Sequence, residues 1–188
     1  MSWKVRTSYF FLFCLVCSAS VVEAQTHKRT TNREPTFFSP DYQENDPFAH
    51  ARPPADDILA ALLKTPEARE NEGALAGLDR EELRKLFSVV EVHLAGSEEA
   101  DEVVLGHVPL SGADNDWFWI VRRQDGHTRV ILFANGLSIE LLNSRTLGYK
   151  NIRTLWGAAS GLTITCLYHY EGKRYRLVHK YSKTVNSY

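Results

Sequence analysis

The stretch WFWIVRRQDGHTRVILFANGLSIELL, Trp117 to Leu142, decides the fold. Apolar and polar residues alternate through much of it, the pattern of half-buried strands. Asp125-Gly126 and Asn135-Gly136 interrupt it, and both dipeptides favour two-residue hairpin turns because their residues tolerate positive φ. Counting outward from those turns sets Trp119 beside Leu132, Leu132 beside Ile139, Val121 beside Val130 and Val130 beside Leu141. Partners in a sheet point the same way, so these side chains, with Trp117, Ala134 and Leu137, are expected on one apolar face. The other face carries Phe118, Ile120, Ile131 and Phe133, but also Ser138, Glu140 and an Arg122 that faces Arg129. Partial cover by helices is expected there.

A second hairpin reads the same way around Glu171-Gly172, with Tyr168 opposite Tyr175, Cys166 opposite Leu177, Ile164 opposite His179 and Leu162 opposite Tyr181. Its other face alternates Thr163, Thr165 and His169 with Arg174, Arg176 and Lys180, and is expected to be solvated and basic. Each hairpin is preceded by a shorter candidate strand, near Glu102 to Leu105 and near Asn151 to Leu155, so the two look like copies of one unit. Upstream, Ile58, Leu59, Leu62 and Leu63 give a helical face over Asp56 to Lys64. A second helix is signed by Asp79 with Glu82 three residues on, a capping box, and by a stripe of Leu83, Leu86, Phe87 and Val90. The expected fold is α+β: mainly an antiparallel β-meander of seven or eight strands built from two similar hairpin units, preceded by two short helices, with a small sandwich as the alternative.

The amino terminus orders Lys4 and Arg6, an uncharged run from Tyr9 to Cys17, and a close at Val22, Glu23 and Ala24. That is the order of a cleavable signal peptide over residues 1–24, and its apolar run falls short of the ~20 residues that span a bilayer. The mature chain is expected to be exported, periplasmic or extracellular, and not membrane-spanning. Residues 25–55 contain Pro35, Pro40, Pro47, Pro53 and Pro54 and few aliphatics, which reads as a flexible leader. Phe37, Phe38, Tyr42 and Phe48 allow the rival reading that it wraps onto the domain or a partner. Residues 56–182 form the domain and 183–188 a tail. Cys14 and Cys17 fall in the signal, so Cys166 has no partner within the mature chain and is expected to pack in a strand.

The run Leu147-Gly148-Tyr149-Lys150-Asn151-Ile152, followed by Tyr168-His169-Tyr170-Glu171-Gly172-Lys173-Arg174-Tyr175, resembles the G-Y-x-D-I, then Y-x-F-x-G-x-x-Y pattern of uncharacterised secreted bacterial proteins distantly similar to FG-GAP and VCBS repeats. Asn151 stands where that pattern has an acidic residue, and Tyr170 where it has Phe. The resemblance implies a β-repeat scaffold and an exported bacterial product; it implies no activity.

Catalytic signatures are sparse. The sequence has no H-E-x-x-H, no phosphate-cradling glycine loop and no G-x-S-x-G. No cofactor is expected. Asp114 and Asp116 are the weak metal alternative, as oxygen ligands for a hard cation, although Asx residues before a strand more often form turns. Charge is distributed unevenly: residues 55–116 carry 15 acidic and 5 basic side chains, residues 144–188 carry 8 basic and 1 acidic, and the whole chain is nearly neutral at −1. Arg145, Tyr149, Lys150, Arg153, Arg174 and Arg176 are the candidate binding residues, for an envelope protein or an anionic glycan. Nucleic acid is not expected, because the basic face lacks an aromatic stacking platform. The sequence thus points to a non-catalytic exported binding protein. A secreted hydrolase and a periplasmic enzyme inhibitor, acting through the Gly96 to Asp101 segment, are the alternatives.

Overall fold

A computed structural model describes residues 34–40, 46–96, 100–111, 115–157 and 161–184. The signal sequence, Asp114, residues 97–99 of the Gly96 to Asp101 segment, Ala158 to Ser160 and the last four residues lie outside the described residues.

Asp125 and Gly126 take φ of 53° and 72°, so this turn forms as its residues dictate and joins β4 (Asp116–Gln124) to β5 (His127–Gly136). Asn135-Gly136 does not make a hairpin. The chain passes straight from β5 into β6 (Ser138–Thr146), which belongs to a different sheet. A second positive-φ pair, Leu147 (51°) and Gly148 (83°), folds β6 back onto β7 (Tyr149–Gly157) instead. The β8 (Leu162–Tyr170) to β9 (Tyr175–Thr184) hairpin completes the sheet that β6 and β7 begin.

The molecule is mainly antiparallel β, in two sheets. One has the order β1-β6-β7-β8-β9, where β1 is Phe37–Phe38; the other has the order β2-β3-β4-β5, with β2 at Phe87–Val92 and β3 at Asp101–Gly106. The α+β class stands, but the single meander gives way to two layers. Phe38, Ile139, Leu141 and Ile152 from the first sheet bury against Val103, Leu105, Phe118, Ile120 and Leu132 from the second. On the far side of the second sheet, Phe87, Val89, Val104, Trp119 and Val121 pack on Ile58, Leu59 and Leu62 of α1 (Asp56–Leu62).

The apolar face expected of Trp119, Leu132 and Ile139 is therefore split between two cores. A register shift lies between Ile120 and Val121: Val121 pairs with Val130 and Arg122 with Arg129 as counted, but Ile120 pairs with Leu132 and Trp119 with Phe133. One extra residue, Ile131, turns every side chain beyond it to the other face. The β8–β9 count also moves. Its connection is longer than two residues, Glu171 N donating to Arg174 O at 2.9 Å, so Tyr175 lies opposite Tyr170 and Leu177 opposite Tyr168. A second shift at Leu167/Tyr168 sets Arg176 opposite His169 but Lys180 opposite Cys166, on alternate faces. The continuous basic strand face is not formed. Cys166 is half-buried and reduced.

Among the described residues four short α-helices and a 3₁₀ turn at Pro47–His50 stand where two helices were expected. Thr65 caps α2 (Pro66–Glu70), α3 spans Glu72–Leu75, and α4 (Arg80–Lys85) carries the reciprocal Asp79/Glu82 capping box. The stripe toward Val90 fails because Phe87 already opens β2. Residues 34–40 and 46–55 are part of the fold rather than a free leader: Phe38 is wholly buried, Phe48 packs on it at 5.8 Å, and Arg52 bridges to Val89. Among the described residues no helix is long and apolar enough to cross a membrane.

Candidate binding site at the open seam

The stacked sheets have two seams, one where β1 and β2 end their sheets and one where β5 and β9 do. The first is covered by the chain itself. The 3₁₀ turn Pro47–His50 contacts both β1 and β2, Phe48 packs on Phe38, and the Arg52 and Val89 backbones exchange hydrogen bonds at 3.1 and 2.9 Å. The second seam stays open as a groove of about 500 Å³. Val130, Ile131, Leu132 and Phe133 form one wall, Arg174, Tyr175, Arg176 and Leu177 the other, with Tyr168 at the floor and Thr65 to Glu67 at one rim.

Of the six sequence-derived candidates the groove gathers two, Arg174 and Arg176. Both are exposed; Arg176 pairs with Glu171 at 2.7 Å, each about half exposed, so the pair is loosely held and open to exchange. The other four are committed to structure. Arg145 Nη1 donates to Leu94 O and Gly148 O, both at 2.7 Å, and locks the β6–β7 turn. Lys150 is buried and donates to Glu34 Oε2 at 2.9 Å. Arg153 Nε donates to Glu140 at 2.8 Å on the outer face. Tyr149 packs at a tilt against Tyr170 with ring centroids 4.1 Å apart.

Tyr149 and Tyr170 belong to a buried cage around Arg122, beneath the β8–β9 turn. Arg122 Nε and Nη2 donate to the two oxygens of Asp101 at 2.7 and 3.0 Å, Nη1 donates to Tyr170 Oη at 3.0 Å, and the guanidinium carbon sits 4.2 Å from the Tyr149 ring centre. Burial works against the Arg122 cation, but the bonds and charge of Asp101 outweigh it and hold the guanidinium above its ordinary pKa. Tyr170 Oη then donates to Gly172 O at 2.7 Å, and Tyr175 Oη to Lys150 O at 2.8 Å. Burial pushes the Tyr175 phenol well above its usual value, so it remains a donor. Three of the five Arg122 N–H donors are engaged here. The cage fixes the turn that carries Arg174 and Arg176.

On the helix side, Glu102 is buried with Oε1 accepting from Arg52 and Arg123, both at 2.7 Å, while Oε2 has no partner. Burial raises its pKa against the pull of Arg123 and Arg52. Arg123 also chelates Asp57 at 2.6 and 3.1 Å, and these bonds, joined by one from Thr128, hold that carboxyl far below the usual range. The network ties the 52 region, α1 and β3 together.

Asp116 starts β4 opposite Gly136. Among the described residues no group of three or more His, Cys, Asp or Glu side chains could hold a metal. Ser88 Oγ lies 2.8 Å from His107 Nε2, and burial lowers the His107 pKa so that its imidazole is neutral at pH 7.

Comparison with protein-family models, curated proteins and solved structures finds no match for this chain.

The wall residues Val130 to Phe133 were missed because the sequence reading placed β5 in the middle of a meander, where its outer edge would be paired. The signal that could have exposed it is the Leu147-Gly148 turn, which gives β6 another local partner.

Proposed function

We propose that this protein is an exported, non-catalytic binding protein of the bacterial envelope that recognises an anionic partner through the open β5/β9 seam. The observation that carries this is Arg174 and Arg176 standing exposed on an apolar groove whose counterpart seam is closed by the chain's own residues. An apolar trough with a few charged groups at its lip is the composition of a recognition site: burial supplies affinity and the guanidinium forks choose carboxylate, sulfate or phosphate. The test is the mature chain against arrays of acidic glycans and acidic peptides, beside Arg174→Glu/Arg176→Glu. The wild type should retain anionic ligands that the double variant loses; equal retention by both overturns the proposal.

The hydrolase alternative has one observation in its favour, the Ser88–His107 pair, which has the geometry of a nucleophile beside a neutral base. Among the described residues no hydrogen bond orients the other His107 nitrogen, so the third member of such a relay is missing. Labelling of wild type but not Ser88→Ala by a fluorophosphonate would establish it, and equal absence of label would remove it.

A further inference from the structure

We propose that the seam takes its partner as an added strand: an extended acidic peptide segment that hydrogen-bonds to the outer edge of β9 and lays alternate side chains against Phe133, Tyr168 and Leu177. This rests on the binding role proposed above and names the partner's chemistry.

β9 ends its sheet, and nine of its ten residues are exposed. Its outer N–H and C=O groups form an unpaired row, which is a template for another strand. Leu177 is 49% exposed on the groove side, an apolar surface that an incoming side chain would cover. Each wall of the groove contributes four consecutive residues, about 13 Å of extended chain at ~3.3 Å per residue, so the site reads roughly four residues of a peptide. β5 and β9 come within 8 Å in Cα position where they are closest. A strand bonded to both would need about 9.6 Å, twice the usual spacing, so the guest pairs with one edge and packs on the other. The exposed ladder of β9 makes it the pairing edge. The buried flanks of Ile131 and Leu132 make β5 the packing wall.

Charge selects the occupant. β9 carries Arg176, His179, Lys180 and Lys183, and Arg174 precedes it, with no carboxylate in the strand. Antiparallel pairing with a second copy would bring these cations against one another, a destabilising arrangement and a common guard against edge-to-edge association. A segment alternating Glu or Asp with aliphatic residues meets both demands: its acids face the cationic edge and its aliphatics face the trough.

The experiment uses fluorescein-labelled eight-residue peptides titrated with the mature protein and followed by anisotropy: one alternating Glu and Val, one alternating Lys and Val, and the acidic one N-methylated at every second amide. The acidic peptide should bind, with affinity weakened about tenfold or more by either change, since N-methylation removes strand donors while leaving charge and side chains intact. Equal binding of the N-methylated peptide overturns strand addition and leaves anion recognition standing. Binding of acidic glycans with none of the acidic peptide overturns the peptide as partner. Failure of every anion overturns the proposed function itself.

Discussion

Asp101→Ala removes the only carboxylate paired with Arg122 among the described residues and leaves a guanidinium that is 4% exposed in an apolar interior. Breaking one side of such a pair costs about 3–5 kcal/mol, because the surviving charge stays desolvated. Tyr170 Oη and the Tyr149 ring remain beside it, but a single neutral hydrogen bond and a cation–π contact offset only part of that loss. Against a total stability of about 5–15 kcal/mol the variant stays folded but fragile. At a urea dependence of about 2 kcal/mol per molar, the unfolding midpoint should fall by roughly 1.5–2.5 M. Trp117 and Trp119 lie in the second sheet and report the transition by fluorescence. The companion Asp101→Leu/Arg122→Met removes both charges and should recover most of the loss, since an apolar pair of similar volume replaces a buried ion pair at little cost. A single variant that loses less than about 1 kcal/mol, or a double variant as weak as the single, would refute the reasoning.

Phe38→Ala should destabilise by about 3–5 kcal/mol in the same assay, because Phe38 is wholly buried; a free leader would give no change. Gly136→Ala should cost about 1–3 kcal/mol, since a Cβ there would sit 2.5 Å from Leu155 O at the corner between sheets. Asp57→Asn should cost no more than about 1 kcal/mol at neutral pH, the pair with Arg123 being well exposed. Because the Asp57 pKa is lowered in the folded chain, its contribution is full above the ordinary aspartate range and fades as pH falls through the folded value, so wild type and variant should converge in acid. Glu102 has the opposite sign. Its raised pKa makes the folded state gain stability as pH falls from neutral toward the ordinary glutamate range, a gain that Glu102→Gln should abolish in pH-dependent urea titrations.

The parts of the fold legible in the sequence were those set by neighbouring residues. Asp125-Gly126 makes its turn, and Asp79 and Glu82 cap α4, because each needs only a few contiguous groups. What alternation could not carry was the register past Ile131, where a bulge reverses the faces, and the choice of partner for β6. Two turns compete for that strand. Pairing β6 with β7 wins because it also lays a second sheet over Phe118 and Ile120, which a flat meander would have left uncovered. The candidate site was half legible for the same reason. Arg174 and Arg176 stood out by charge, whereas Lys150 and Arg145 looked equally available in the sequence and are taken by Glu34 and by the Leu94 and Gly148 carbonyls.

Amide hydrogen exchange with and without a saturating acidic peptide tests the seam most directly. New protection confined to Arg176 through Lys180 of β9, with smaller changes along Val130 to Phe133, is the expected result. Protection centred instead on the outer face around Arg153 and Tyr181, or none anywhere despite binding, would contradict it.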